Sequence, residues 1–357
     1  MKLERWSLHC YRLPYGREVV WANAREDSGL FALLVLEADG VKGIAEGTLK
    51  DTWSGVSPAS LKASLEDFLL PRLAAVNLVD EKLVAAAFAG IPENRLAKGM
   101  IESACWTLRA AAAKEPLWKL WDAGRTREVA WTVTRQAPKA MAVEAVDVCA
   151  KYGFRTLKVK GGQGVETDLR ALAEIQSAVG GGVELTVDAN SAYARAEAID
   201  YVQALASAGV TVAEDPCTLQ PDAKFEALQK ASPIPILVDR SCASKEDAAL
   251  YLERGAQALS TKPGRVGLAE TRAIAALALL KGARTAVGIY AESALGTLVN
   301  LQQPGSMAAE QTFFLAMKEQ VSALVPEIRA GRIELPQEAD LSRLVDWERL
   351  GQLAYNI

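Results

Sequence analysis

Charged residues close one strand-like run after another in the middle of the chain. Lys158 and Lys160 end TLKVK, Asp188 ends VELTVD, Glu214 ends VTVAE, Asp239 follows IPILV, and Lys262 ends ALSTK. One charged strand end is ordinary, because strand ends are wet. Five consecutive charged ends, with three carboxylates flanked by lysines, point to chemistry. Three carboxylates brought to one place suit a hard divalent cation, foremost Mg²⁺ with Mn²⁺ as a substitute. Such a cation favours octahedral oxygen ligation and leaves positions for water or a substrate carboxylate. Side chains two apart on a strand share a face, so Lys158 and Lys160 point the same way while Val159 points oppositely. Like charge and burial both lower a lysine pKa, which is what a lysine base near neutral pH requires. Lys262, several strands further on, would face a substrate from the other side. A cation between two opposed lysines suits proton transfer beside a carboxylate, with the resulting enolate stabilised electrostatically.

The elements that must position these residues follow from periodicity. Strand-like runs end at about 134, 160, 188, 214, 239, 262 and 290, with amphipathic or alanine-rich helical stretches between them. This regular βα alternation predicts a parallel barrel rather than an open doubly wound sheet, and barrel enzymes gather chemistry at the C-terminal strand ends. Ser244 with Asp247 resembles a capping box opening a helix over 245–254. The region before 129 reads differently. Runs at 2–14, 29–38 and 41–49 are strand-like, and Asp39-Gly40 is a two-residue hairpin signal. Helical patterns follow at 57–73 and 95–113, so this part reads as an α+β unit. The stretch 340–354 reads as a closing helix. Residues 129–320 are fewer than the ~250 typical of eight full βα units, so a truncated barrel is expected.

Composition removes other classes. The chain has 357 residues, 40 Lys+Arg against 44 Asp+Glu, and a net charge of −4, which gives no basic footprint for nucleic acid or an anionic membrane. The longest apolar runs, such as 273–280, are too short for a bilayer, and the N-terminus has no signal-peptide core. Five unclustered cysteines suit a reducing cytoplasm. His9 is the only histidine, so no histidine-rich zinc site and no Ser-His-Asp triad can be built beyond it. GGQG at 161–164 fails the dinucleotide-loop pattern, since Thr167 stands where glycine is needed.

The ordered motifs TLKVKGG (156–162), VDAN (187–190), AEDP (213–216), VDR (238–240) and STKPGRVGL (260–268) resemble those of the enolase superfamily. WSGVS (53–57), VAWTV (129–133) and GIYAESALGT (288–297) extend the likeness to its muconate lactonizing enzyme (muconate cycloisomerase) subgroup. A lysine base with Mg²⁺ beside an enediolate is an established pattern of that superfamily, and the resemblance implies the same mechanism here. It implies an α/β fold, a modified TIM-type (β/α)7β barrel with an α+β N-terminal capping domain completed by the C-terminal tail. The expected boundaries are 1–124 for the cap, 125–325 for the barrel and 326–357 for the returning tail. It implies Asp188, Glu214 and Asp239 as metal ligands, Lys160 and Lys262 as the acid/base pair, and Lys158 as an electrostatic helper. Glu292 matches an acidic residue lining such sites after the seventh strand. Arg240 departs from the glutamate usual after the third ligand, although strand alternation turns it away from Asp239. With no histidine beyond His9 to serve as its base, the mandelate racemase branch is excluded.

Substrate choice is expected from the cap segments 14–29 and 48–57. There Arg17, Trp21, Arg25, Lys50 and Trp53 could hold a second carboxylate and cover it, with Arg135 doing so from below. The expected activity is a Mg²⁺-dependent, enolate-forming cycloisomerase of a small carboxylate or dicarboxylate. Lys160 is the preferred proton donor, in a cytoplasmic homo-oligomer of aromatic catabolism. The alternatives are a racemase or epimerase of N-acylamino acids, an o-succinylbenzoate synthase-like dehydratase, or a non-catalytic carboxylate-binding barrel. Dipeptide epimerisation is disfavoured, because the only aspartates after Glu292 are Asp340 and Asp346.

Overall fold

The computed structural model describes residues 1–20 and 25–356, so Trp21 lies outside the described residues. Three antiparallel strands open the chain: β1 (Arg5–Val20), β2 (Arg25–Ala38) and β3 (Val41–Leu49), in the order β1-β2-β3. The turn from β2 to β3 is the expected two-residue hairpin. Ala38 pairs with Val41, while Asp39 and Gly40 adopt φ of 49° and 72°. Both positive values match the turn whose twist suits a hairpin. One face of this sheet packs on helix Arg95–Ala113 through Leu34, Leu36, Ala45, Met100, Ile101 and Leu108. The stretch predicted as one helix over 57–73 is instead broken. Helix Pro58–Ser64 runs into a wider π turn and then a 3₁₀ turn at Leu70–Leu73, where Pro71 removes a helical donor.

The strand-like run that ends at about 134 divides in two. β4 (Thr126–Glu128) joins a small antiparallel sheet, and β5 (Trp131–Val133) enters the large parallel one. Six further strands follow: β6 (Thr156–Lys160), β7 (Glu184–Asp188), β8 (Val212–Glu214), β9 (Ile236–Val238), β10 (Ala258–Thr261) and β11 (Arg284–Val287). All seven pair in parallel with their sequence neighbours, in the order β11-β10-β9-β8-β7-β6-β5. A curled parallel sheet with helices between its strands, beside a separate N-terminal β unit, is therefore the architecture. The Ser244 cap is present, its Oγ accepting from Asp247 N–H at 3.0 Å.

The two edges of the sheet are tied by a very short piece of chain. Ala309 N–H donates to Glu128 O at 2.9 Å, Ala130 N–H to Ala309 O at 2.8 Å, and Glu310 N–H to Val287 O at 2.8 Å. The last strands, β12 (Ile328–Arg329) and β13 (Arg332–Glu334), pair with each other, and β13 pairs with β4. The tail then reaches β1, where Tyr355 N–H donates to Cys10 O at 2.7 Å and Arg12 N–H to Leu353 O at 3.1 Å. The closing helix is shorter than predicted, Trp347–Gln352, after a 3₁₀ turn at Leu341–Leu344. Among the described residues no helix is long and apolar enough to cross a membrane.

Candidate functional site

Register sets the row of charged residues. Lys160 pairs with Asp188 across β6 and β7, and Asp188 with Glu214 across β7 and β8, so the three stand side by side at one height. Lys158 lies one inward position below Lys160, fully enclosed. Its Nζ is 2.6 Å from Glu214 Oε2, 2.8 Å from Glu310 Oε2 and 3.5 Å from Asp188 Oδ2. Lys160 Nζ is 2.5 Å from Asp188 Oδ2, and Lys262 Nζ is 2.5 Å from Asp239 Oδ2. Three lysines and three carboxylates nominated from the sequence thus meet at the C-terminal strand ends. A fourth carboxylate, Glu310, joins them.

The surrounding groups fix the loops that carry this cluster. Asp188 accepts from Asn190 N–H at 2.7 Å and from Asn190 Nδ2 at 2.9 Å. Asp215, buried and with φ of 37°, accepts from the N–H groups of Asp239 at 3.1 Å and Arg240 at 2.9 Å. Arg265 donates to the carbonyls of Asp239 at 3.2 Å and Cys242 at 2.6 Å. Asp168 gathers the turn after β6, accepting from Gly162 N–H, Gln163 N–H, Tyr193 Oη and Tyr201 Oη. The glycines at 161–164 therefore serve a tight turn.

Electrostatics in the cluster are governed by burial against close ion pairing. Burial pushes the Asp188 carboxyl up, but Lys160 and Lys158 outweigh it and hold the group well below the carboxylate range. Burial likewise opposes ionisation of Asp239, yet Lys262, Arg265 and Lys158 hold it at about 2. Glu214 goes the other way, pushed well above its usual value by burial and by the charge of Asp188. Lys158 corrects one expectation. Burial alone would lower its pKa, but Glu214, Glu310 and Asp188 raise it well above the usual lysine value. Its near neighbours are anions, so as it stands it is a fixed cation and no neutral base.

Whether this set fits a divalent cation can be judged from its unsatisfied atoms. Four carboxylates in the cluster face three ammonium groups and the Arg265 guanidinium, 3.8 Å from Asp239 Oδ1. Glu214 Oε1 and Asp239 Oδ1 are buried without a hydrogen-bond partner, an arrangement that is costly for an anionic oxygen. Among the described residues no three acidic, histidine or cysteine groups converge closely enough to hold a metal ion as they stand. The carboxylates are turned onto the lysines. All-oxygen donors and two orphaned carboxylate oxygens nevertheless fit a hard divalent cation.

The other nominated residues have separate fates. Trp53 reaches the site, its ring 5.0 Å from that of Tyr290 in the segment after β11 and under Lys50 Nζ at 4.5 Å. Lys50 itself is buried and pairs with Glu26 at 2.5 Å. Arg17 lies 3.9 Å from Glu144 and Arg25 3.0 Å from Glu18, both with mostly exposed side chains. Neither contacts the lysine–carboxylate cluster among the described residues. Arg135 is directed at the protein, donating to Gly161 O at 2.6 Å and Asn190 Oδ1 at 3.2 Å, and it clamps two βα loops together. Glu292 is buried beside Gly264 and accepts from Tyr290 N–H at 2.8 Å and Asn300 Nδ2 at 2.9 Å. Burial raises its carboxyl to about 7. His9 lies on β1 of the N-terminal unit, 2.8 Å from Ser7 Oγ.

Three neighbours were not singled out by sequence reasoning. Asp215 and Arg265 sat inside quoted motifs, AEDP and KPGRVG, where their types were the available signal. Glu310 had none, because it lies outside any strand, beside the single bridge at Ala309, where no alternation can show.

Comparison with known proteins bears on the whole chain. Residues 140–348 match the family described as enolase C-terminal domain-like, and residues 19–121 match the mandelate racemase / muconate lactonizing enzyme N-terminal domain. The chain is 28% identical over 330 residues to muconate cycloisomerase 1-2 of Acinetobacter lwoffii, covering 88% of this chain and 86% of that protein. It is 29% identical over 332 residues to the o-succinylbenzoate synthase of Geobacillus stearothermophilus, covering 89% and 86%. The crystal structure of a muconate lactonizing enzyme from Pseudomonas fluorescens complexed with muconolactone superposes with a TM-score of 0.91. It is 25% identical and covers 99% of both chains.

Proposed function

The chain belongs to the mandelate racemase / muconate lactonizing enzyme family of the enolase superfamily and is an enzyme of that family, and on this premise we propose that it is a divalent-cation-dependent cycloisomerase of the muconate type. Family membership sets aside the non-catalytic barrel. The observation that carries the reading is the pair of ion pairs Lys160–Asp188 and Lys262–Asp239, each 2.5 Å, on β-strand ends either side of Glu214. Two ammonium groups so placed can address opposite faces of one carbon.

Asp188, Glu214 and Asp239 would hold Mg²⁺, or Mn²⁺ in its place. When bound, that cation would supply Lewis-acid polarisation of a substrate carboxylate. The chain's own residues do the rest. In the lactone-forming direction one carboxylate of the substrate adds across its diene, and Lys160 delivers a proton to the carbon α to the other carboxylate. Lys262 stands opposite, and Lys158 keeps the buried carboxylates neutralised. Trp53 and Tyr290 cover the site from the cap side, which excludes water. The same reading takes the sheet as a closed (β/α)7β barrel stitched by residues 309–310, with a cap over 1–124, barrel over 125–325 and returning tail over 326–357. A cytoplasmic homo-oligomer serving aromatic catabolism completes it.

A second reading on the same scaffold is favoured by the equivalence of the two lysine pairs and by the o-succinylbenzoate synthase relative. It is racemisation of an N-acylamino acid or a syn-dehydration. A screen with Mg²⁺ against cis,cis-muconate, substituted muconates and N-acylamino acids decides between them. Lactone formation from a muconate is expected. Racemisation of the N-acylamino acids with no muconate turnover would overturn the first reading.

A further inference from the structure

Glu46, on β3 of the N-terminal unit, is a buried carboxylate that none of the chemistry above uses. Oε1 accepts from Ser293 N–H at 2.9 Å, and Oε2 accepts from Tyr11 Oη at 2.5 Å and from Ser293 Oγ. Gly296 N–H is a further donor. Tyr11 belongs to β1, whereas Ser293 and Gly296 belong to the segment after β11 and to helix Ala294–Asn300. One side chain of the cap therefore fastens the barrel segment that carries Glu292. The approach is close enough to demand glycine at 296, where a Cβ would stand 2.3 Å from Glu46 Oε1.

These contacts lead to Glu292 by two routes. Ser293 is its neighbour in the chain, and its Oγ also accepts from Leu295 N–H at 3.1 Å, so Glu46 holds both the loop end and the helix start. Asn300, at the far end of the same helix, donates to Glu292 Oε1 at 2.9 Å. A cavity of about 10 Å³ is lined by Glu46, Asn300, Gly264 and Arg265 together, room for about one water-sized sphere. Burial pushes the Glu46 carboxyl up, while the hydrogen bonds from Ser293, Tyr11 and Gly296 act to hold it down.

We propose that Glu46 is a positioning residue of the site, which through Ser293 and helix Ala294–Asn300 sets the place of the Glu292 carboxylate, so that the cap is part of the scaffold of the barrel mouth. This rests on the expectation, from the resemblance, that Glu292 lines the substrate site. A simple structural staple would add stability and leave turnover alone, and that difference is measurable.

The test combines hydrogen exchange with a double-substitution cycle on the full chain. E46Q keeps volume but replaces an accepting oxygen with a donor. It should speed amide exchange across 288–300 about tenfold while the rest of β1 and β2 stays protected. On the substrate that the Mg²⁺ screen identifies, it should lower kcat about tenfold with KM changed less than about threefold. In an E292Q background the same substitution should cost less than about twofold. Wild-type exchange at 288–300, or a drop in Tm with kcat intact, overturns the proposal. So does a full E46Q penalty persisting in E292Q. Wild-type kcat in E292Q alone, with the loop still loosened by E46Q, overturns the role of Glu292 and the proposal with it, and the loosened loop distinguishes that result from the others.

Discussion

Lys158 shows how much of the site depends on one ammonium group. It lies within 3.5 Å of three buried carboxylates, and its removal would leave Glu214, Glu310 and Asp188 with a large uncompensated charge. K158M should lose about 3–5 kcal/mol of stability in urea unfolding. Mg²⁺ should raise its unfolding midpoint more than that of the wild type, since the cation would then meet carboxylates free of that lysine. Unchanged stability would show that Lys158 does not carry that charge. Glu102, on the helix Arg95–Ala113, is a case with the opposite sign. Burial first, and then the charges of Glu270 and Glu81, push it up to about 7. The folded chain then binds more protons than the unfolded one between roughly pH 4.3 and 7, so this group's contribution rises as pH falls through that window. The effect is at most about 4 kcal/mol, less whatever solvent screening removes from this partly exposed group. E102Q should flatten the dependence of Tm on pH between pH 5 and 7, and an unchanged slope would exclude Glu102 as its source. At this scale the sequence was informative where residue type and strand-end position coincided, as for Lys160, Asp188 and Glu214. It was silent for Glu46, because a lone glutamate in GIAEGTL looks like any solvated strand residue until Tyr11 and Ser293 surround it.

Elements decide whether those residues meet. The parallel strands were legible because each ends an apolar run at a regular spacing, and register then aligns Lys160, Asp188 and Glu214. The split of β4 from β5 was not legible. Alternation continues through residues 126–133, while the pairing partner changes from β13 to β6. The stitch at 309–310 was hidden for the same reason that Glu310 was, since two residues carry no period. Arg17, Arg25 and Arg135 had the right type for a carboxylate, but no one-dimensional signal distinguishes an arginine that meets substrate from one that clamps two carbonyls. The turn after β6 offers a test at this scale. Asp168 satisfies two backbone N–H groups and two tyrosine hydroxyls, and D168A leaves the buried Tyr201 hydroxyl and three half-buried donors without this acceptor. A loss of about 2–4 kcal/mol in urea unfolding is expected, together with faster amide exchange at 161–164. Protection unchanged in that turn would mean that something else fixes it.

For the molecule as a whole, the N-terminal sheet, the parallel sheet and the tail form one connected site scaffold. Trp53 meets Tyr290, Glu46 meets Ser293, and Tyr355 returns to Cys10. The lysines are what this scaffold positions, and the central claim is that Lys160 delivers a proton to the α carbon of a muconate. The most direct measurement follows wild type, K160A and K262A by NMR in D₂O with Mg²⁺ and cis,cis-muconate. Wild type should form a lactone carrying one deuterium α to the free carboxylate, K160A should form none, and K262A should still incorporate the label. No lactone from the wild type, with α-deuterium exchange of an N-acylamino acid abolished in both variants, would contradict that claim for the muconate reaction.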